Sequence, residues 1–156
     1  IEWNGPNAEC CIKTTLARQI ANWVIIYSPL QMAADLIENY EGHPAFRFFR
    51  DFDADCDWSK ALQGEIGDYI VVARRAKDRY FLGAGTDEKA RTLVQKLDFL
   101  EPGVTYTATI YADAPDAGRN PEAYLIGKRA VTARDTIRIE MAERGGQAIT
   151  FIPAEK

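Results

Sequence analysis

Apolar residues recur with two different periods along this 156-residue chain, and the change falls near residue 57. Before that point the spacing is helical. Leu16, Ile20, Trp23, Val24 and Tyr27 recur at helical intervals, with Thr14 or Thr15 placed to cap the first turn. Between residues 20 and 27 only Asn22 is polar, so a helix there has no face that water wets at low cost, and it needs a large cover. Ser28, Pro29 and Gln31 then make a capping-box start for a second helix. Leu30, Ala33, Ile37 and Tyr40 line one face of it, Met32 and Leu36 lie beside that face, and Gly42 ends it. A short third helix over residues 44–52 puts Phe46, Phe49 and Phe52 on one side. Residues 1–12, with Asn4-Gly5-Pro6-Asn7, carry turn chemistry and no period, and read as a loop.

From Trp58 onward the period is two. Tyr69, Val71 and Ala73 alternate with Ile70 and Val72; Tyr106, Ala108 and Ile110 alternate with threonines; Ile137, Ile139 and Met141 alternate with Thr136, Arg138 and Glu140. Turn signals separate these runs: Gly64 and Gly67, residues 76–78, Gly83 and Gly85, Pro102-Gly103, the loop 115–121, and Gly145-Gly146. One segment fits both periods. Ala90, Leu93, Val94 and Leu97 suit a helix face, while Leu93, Leu97 and Phe99 suit a strand with Gln95 as the exception. About eight antiparallel strands after a helical head predict a mainly β protein, a β-sandwich preceded by two or three helices of different origin.

Composition narrows the function classes. The hydrophobic fraction of 47% is enough to build a core, and a net charge of -4 argues against a nucleic-acid surface, which needs a basic face. Arg74, Arg75, Lys77 and Arg79, interrupted by Asp78, read as a solvated hairpin tip. No apolar stretch approaches the roughly 20 residues of a membrane span, because residues 28–31 interrupt the one candidate. The sequence starts at Ile1 with no initiator Met and no signal-type core, as expected of a processed product or a piece of something longer. Of the three cysteines, Cys10 and Cys11 are adjacent, so at most one of them can pair with Cys56.

Motif by motif, resident chemistry is poorly supported. Ser28 and Ser59 are the only serines and His43 the only histidine, and neither Ser28 as a cap nor His43 in Gly-His-Pro suits a triad. Asp51, Asp53, Asp55 and Asp57 have calcium-loop spacing, but Cys56 stands where a turn glycine belongs and Leu62 where a bidentate Glu belongs. Gly83-Ala84-Gly85 has no third glycine, and no C-x-x-C pair exists for zinc. Glycoside chemistry needs two carboxyls facing each other roughly 5 to 10 Å apart. Neither Glu65, between turn glycines, nor Asp98, outward in a strand, defines such a pair. Trp58, Tyr80, Tyr111 and Tyr124 are the aromatics from which sugar contacts would be drawn, with core or edge packing the commoner role for each.

Several stretches taken together resemble glycoside hydrolase family 97. They are 14–19 (Thr-Thr-Leu-Ala-Arg-Gln), 25–36, 64–69 (Gly-Glu-Ile-Gly-Asp-Tyr), 73–75, 97–100, 110–113 and 145–149 (Gly-Gly-Gln-Ala-Ile), in that order. The resemblance implies an α-glycosidase of α-glucosidase or α-galactosidase type, with an N-terminal β-sandwich, a (β/α)8 barrel and a C-terminal β-sandwich. It implies that residues 1–56 are the end of that barrel and residues 57–156 the C-terminal sandwich. The family's two catalytic carboxyls and its calcium ion belong to the N-terminal domain and barrel, so no catalytic, cofactor or metal residue carries over to this chain. Residues 91–100 resemble a strand. Residues 1–12 match nothing in the family, and residues 51–57 are more acidic than its pattern.

The expected role of this segment is therefore structural and oligomeric, with the rest of the glycosidase and another copy of itself as partners. Carbohydrate is reached through the parent, and export to a periplasm or beyond is what the resemblance suggests. A free-standing carbohydrate-binding module is the alternative. Packing of the helical head on the sandwich is expected through Leu30, Ile37 and Tyr40, with the 20–27 side partly bare or covered by another copy.

Overall fold

Thr15 opens the first helix in the computed structural model, which describes residues 13–32 and 37–154. Its Oγ1 accepts the Arg18 N–H at 3.1 Å, as the cap expectation required, and α1 runs over Leu16–Ile25. Two shorter helices follow, α2 (Ile37–Tyr40) and α3 (Phe46–Asp51). The helix expected to start at Ser28 is not formed over residues 28–32, and residues 33–36 lie outside the described residues. Ser28 turns on Leu30 instead, donating from Oγ to the Leu30 carbonyl at 2.7 Å. Gln31 donates its side-chain amide to the carbonyls of Trp23 and Ile26, at 3.3 and 3.1 Å. Those carbonyls lie at the unsatisfied end of α1, so the residue expected to close a capping box terminates the preceding helix.

Eight strands follow: β1 (Trp58–Glu65), β2 (Tyr69–Ala76), β3 (Arg79–Thr86), β4 (Arg91–Lys96), β5 (Tyr106–Asp113), β6 (Tyr124–Val131), β7 (Thr136–Met141) and β8 (Gly146–Pro153). They form a six-stranded antiparallel sheet in the order β1-β2-β3-β8-β5-β6 and a two-stranded sheet, β4-β7. The segment that fitted two periods is a strand from Arg91 to Lys96. It ends earlier than residue 100, because the Leu100 N–H closes a turn on the Leu97 carbonyl at 3.0 Å. Gln95, the exception to alternation, is buried because it reaches the other sheet: its Oε1 accepts from Gln63 Nε2 at 2.8 Å.

The central strands of the large sheet, β2, β3, β8 and β5, are buried on both faces. On one, Val71, Leu82, Ala108 and Ile149 pack on Ile137, Ile139 and Met141 of the small sheet. On the other, Phe81, Tyr111 and Ala148 pack on α1 and α3. The cover required by residues 20–27 is thus this sheet face, with α3 closing the side: Trp23 meets Phe49 at 4.5 Å and Phe52 at 5.9 Å. Leu16, Ile20 and Val24 are at most 4% exposed, and burying such side chains contributes about 1.5–3 kcal/mol each. Phe46 and Phe49 face Tyr40, whereas Phe48, absent from the expected stripe, is the fully buried ring of α3.

Three expectations are corrected by this arrangement. Leu30 and Ile37 are 72% and 62% exposed and do not make the helix–sandwich contact; Tyr40 alone of that set is buried. Gly83 and Gly85 are not turn residues but lie inside β3, and Gly146 begins β8. A Cβ on Gly83 would lie 2.6 Å from the Ala21 carbonyl oxygen and 2.7 Å from Val24 Cβ, and one on Gly146 would lie 2.7 Å from Arg18 Cα. The glycines remove the side chains that would otherwise hold α1 off the sheet. Finally, Arg74 is not part of a solvated tip. It shares the helix-side face with Phe81, is 1% exposed, reaches the Ile25 carbonyl at 3.5 Å and lies 5.0 Å from the Tyr27 ring.

Candidate functional site

The aromatics singled out for sugar contact are dispersed by the fold. Tyr80 is 3% exposed, edge-on to Tyr106 at 5.6 Å, and Tyr111 is fully buried, edge-on to Phe48 at 5.5 Å. Neither ring has a face open to a sugar, because both point into the layers between elements. Burial pushes the Tyr111 phenol up to about 12. Trp58 and Tyr124 are half-buried: Trp58 leans on Tyr80 at 6.0 Å, and Tyr124 stacks on His43 at 5.5 Å. They sit on opposite edge strands of the large sheet and share no platform.

Carboxylates are occupied in structural roles. Asp53 accepts from Lys77 Nζ at 3.1 Å and from the Asp55 N–H at 3.0 Å, and Asp57 accepts the Lys77 N–H at 2.8 Å. The acidic run therefore braces the β2–β3 turn, where Lys77 has a φ of 59°. Asp51 pairs with Arg47 at 3.2 Å. A cleft of about 550 Å³ beside the β1–β2 hairpin is lined by Arg18, Gln63, Ile66, Tyr69 and Asp87 among others. Three carboxylates line it, Glu65, Asp68 and Asp87, and the last two bind the Arg91 guanidinium. Hydrogen bonding from Arg91 holds Asp87 below the usual carboxylate range, so it is a poor proton donor. Among the described residues no group of three or more His, Cys, Asp or Glu side chains is placed to hold a metal ion. Cys56 is free and donates from its thiol to the Asp53 carbonyl at 3.3 Å, and burial pushes that thiol up. Cys10 and Cys11 lie outside the described residues.

What the surface does offer is apolar. Ile26, Tyr27, Leu30, Met32 and Ile37 are each 60% exposed or more and follow one another along the connection after α1. Ile66 stands fully clear at the β1–β2 tip, and Leu125 and Ile126 are adjacent on β6. No described helix is long and apolar enough to cross a membrane.

The family model described as "Glycosyl-hydrolase 97 C-terminal, oligomerisation" matches residues 55–152. The chain belongs to the glycoside hydrolase 97 family. Its matched part takes in both sheets except Pro153, the last residue of β8, and α1 to α3 precede it. A retaining α-galactosidase of Bacteroides thetaiotaomicron is 32% identical over 136 residues, which are 86% of this chain and 20% of that protein. A glycoside hydrolase family 97 enzyme from a Pseudoalteromonas sp. strain, solved in complex with acarbose, superposes with a TM-score of 0.91 at 44% identity. That match covers 97% of this chain and 25% of that one. The chain thus spans a fifth to a quarter of the length of these family 97 relatives. A β-arabinopyranosidase at 21% identity and a TM-score of 0.66 shares the fold alone.

Residues that organise this family 97 domain differ in how far the sequence marks them. Arg74 was detectable in principle, because it falls in step with Val72 and Ala76 on one face of an apolar strand. Asp113 had none, since its partners, Ala142 and Gly146, are distant in sequence, and the same holds for the bond of Arg91 to Asp68.

Proposed function

We propose that this chain is the C-terminal, non-catalytic portion of a longer glycoside hydrolase acting on α-galactosides or α-glucosides, and that its role is structural and oligomeric. The observation that carries the reading is the superposition of nearly the whole chain on one quarter of a family 97 enzyme, together with the uncovered apolar run at Ile26, Tyr27, Leu30, Met32 and Ile37. In this reading residues 1–56 belong with the catalytic barrel, residues 57–156 form the appended sandwich, and the barrel supplies the cover for that run. Catalytic carboxyls and calcium belong to the part of the enzyme outside this chain.

The test is hydrolysis of aryl α-galactosides and α-glucosides by this chain and by the longer protein. Activity is expected of the longer protein only. Turnover by this chain alone, abolished by substituting a local acidic pair, would sink the reading. Direct sugar contact by this chain is left to Trp58 and Tyr124, whose rings are half-buried. Isothermal titration with maltooligosaccharides and galactosides is expected to give no heat that Trp58→Ala or Tyr124→Ala removes.

A further inference from the structure

Among the described residues, two strands of the large sheet have an unpaired edge, β1 and β6, and the two differ in kind. β1 is broken by an irregularity between Ala61 and Gln63, and Gln63 is tied across to Gln95 and to the Val94 carbonyl. A bulged edge folded toward a second sheet is a poor template for another strand. By contrast β6 pairs with β5 in unbroken register from Tyr124 to Val131, and Leu125 to Ala130 are exposed without interruption. Leu125 and Ile126, at 55% and 39% exposure, add apolar surface to that open backbone edge. The family's oligomerisation segment, residues 55–152, contains β6 and leaves out the apolar run after α1.

We propose that β6 is the surface through which two copies of this chain associate, β6 against β6, antiparallel, around a two-fold axis perpendicular to the sheet and midway between the two copies of Gly127. The proposal rests on the reading of this chain as an oligomeric domain. An antiparallel strand is complementary to itself about a two-fold axis, which is the requirement for a closed dimer. Such an axis keeps each sheet face on its own side, so every residue meets one that differs from it by an even number of positions. A register centred on Lys128 or Arg129 sets like charges face to face and is excluded on that ground. Centring on Ile126 shortens the pairing and makes two branched side chains meet at the axis. Centring on Gly127 puts the residue without a side chain where each copy meets itself. It also sets Ile126 opposite Lys128 and Leu125 opposite Arg129, whose aliphatic stems cover them. The two cations thus act against two of the wrong registers, and the side chains at the axis against the third.

The register dictates the experiment. Light scattering on this chain at tens of micromolar is expected to give a dimer. Ile126→Lys, which sets a lysine opposite Lys128, is expected to give a monomer, and adding Lys128→Glu to that variant is expected to restore the dimer. All three are expected to melt within a few degrees of one another, since these positions are exposed. A dimer indifferent to Ile126→Lys, or one lost and not restored by Lys128→Glu, overturns the proposal while leaving an oligomeric domain intact. A dimer that dissociates with Leu30→Lys and not with Ile126→Lys overturns it in favour of the run after α1. A chain monomeric throughout overturns both this inference and the oligomeric reading of the isolated chain.

Discussion

Asp113, the last residue of β5, accepts the backbone N–H of Gly146, the first residue of β8, on its Oδ2 at 3.0 Å. The same oxygen accepts the Ala142 N–H at 2.9 Å, so one carboxylate holds both ends of the turn between β7 and β8. Asp113→Ala leaves two backbone donors without this partner. The expected cost is about 2 kcal/mol or more, a fall of at least ~4 °C in Tm, read by calorimetry.

The same carboxyl carries a pH signature. Burial raises it above its ordinary value of 3.8, and the hydrogen bonds from Thr15, Ala142 and Gly146 offset that only in part. The folded chain therefore holds this proton more tightly than the unfolded one. Its contribution to stability is complete below the unfolded value and is lost as pH rises through the raised folded value. Asp113→Asn keeps an acceptor oxygen without the charge. Urea midpoints followed upward from about pH 3.5 are expected to lose this declining component in the variant.

His43 titrates with the opposite sign. Its Nδ1 accepts the Ala45 N–H at 3.3 Å and its ring stacks on Tyr124, and burial lowers its proton affinity below the ordinary 6.5. Stability from this group is present above the unfolded value and is lost as pH falls through the lowered folded value. His43→Phe keeps a ring on Tyr124 and is expected to remove this group's share of the decline in Tm as pH falls below 6.5, with a constant offset for the lost Ala45 bond, while the decline carried by Asp53, Asp87 and Asp135 at lower pH stays.

Gly83 tests the seat of α1. Gly83→Ala drives a methyl into the Ala21 carbonyl and Val24, and is expected to cost about 1–3 kcal/mol by forcing α1 off the sheet. Gly118→Ala is the control, because nothing lies within 4 Å of a Cβ there. Equal Tm values for the two variants would contradict the close approach.

Gln63→Ala removes the donor to Gln95 Oε1 and to the Val94 carbonyl. The expected loss is about 1 kcal/mol, with faster hydrogen exchange concentrated in β4. Gln95→Leu, which removes the buried polar atoms as well, is expected to recover part of the loss. Uniform acceleration across all strands would show that the tie is not local.

Period alone located most of the strands and the start of α1. Ile137, Ile139 and Met141 alternate with exposed polar residues because one side of β7 is buried, and that record is local. Gln31 shows where local chemistry misleads. Its position suits a capping box, yet the carbonyls it meets belong to the helix before it, and a motif carries no sign of which end a side chain will serve. Arg74 likewise sits in a charged run that leads through a turn, and only its strand face decides that it is buried.

Read without a structure, the chain determines two periodicities, the Thr15 cap, a sandwich of about eight strands behind a helical head, and a resemblance that the family match sustains. Tertiary structure alone decides which surface covers α1, that Gly83 and Gly146 are its floor, and that β1 is a blunted edge while β6 is an open one. The reason is physical. Periodicity reports that a face must be buried, and a glycine reports that a side chain must be absent, but neither names the partner. That is set by contacts between residues far apart in the chain, such as Gly83 with Ala21 or Gln63 with Gln95, which form only when the layers close.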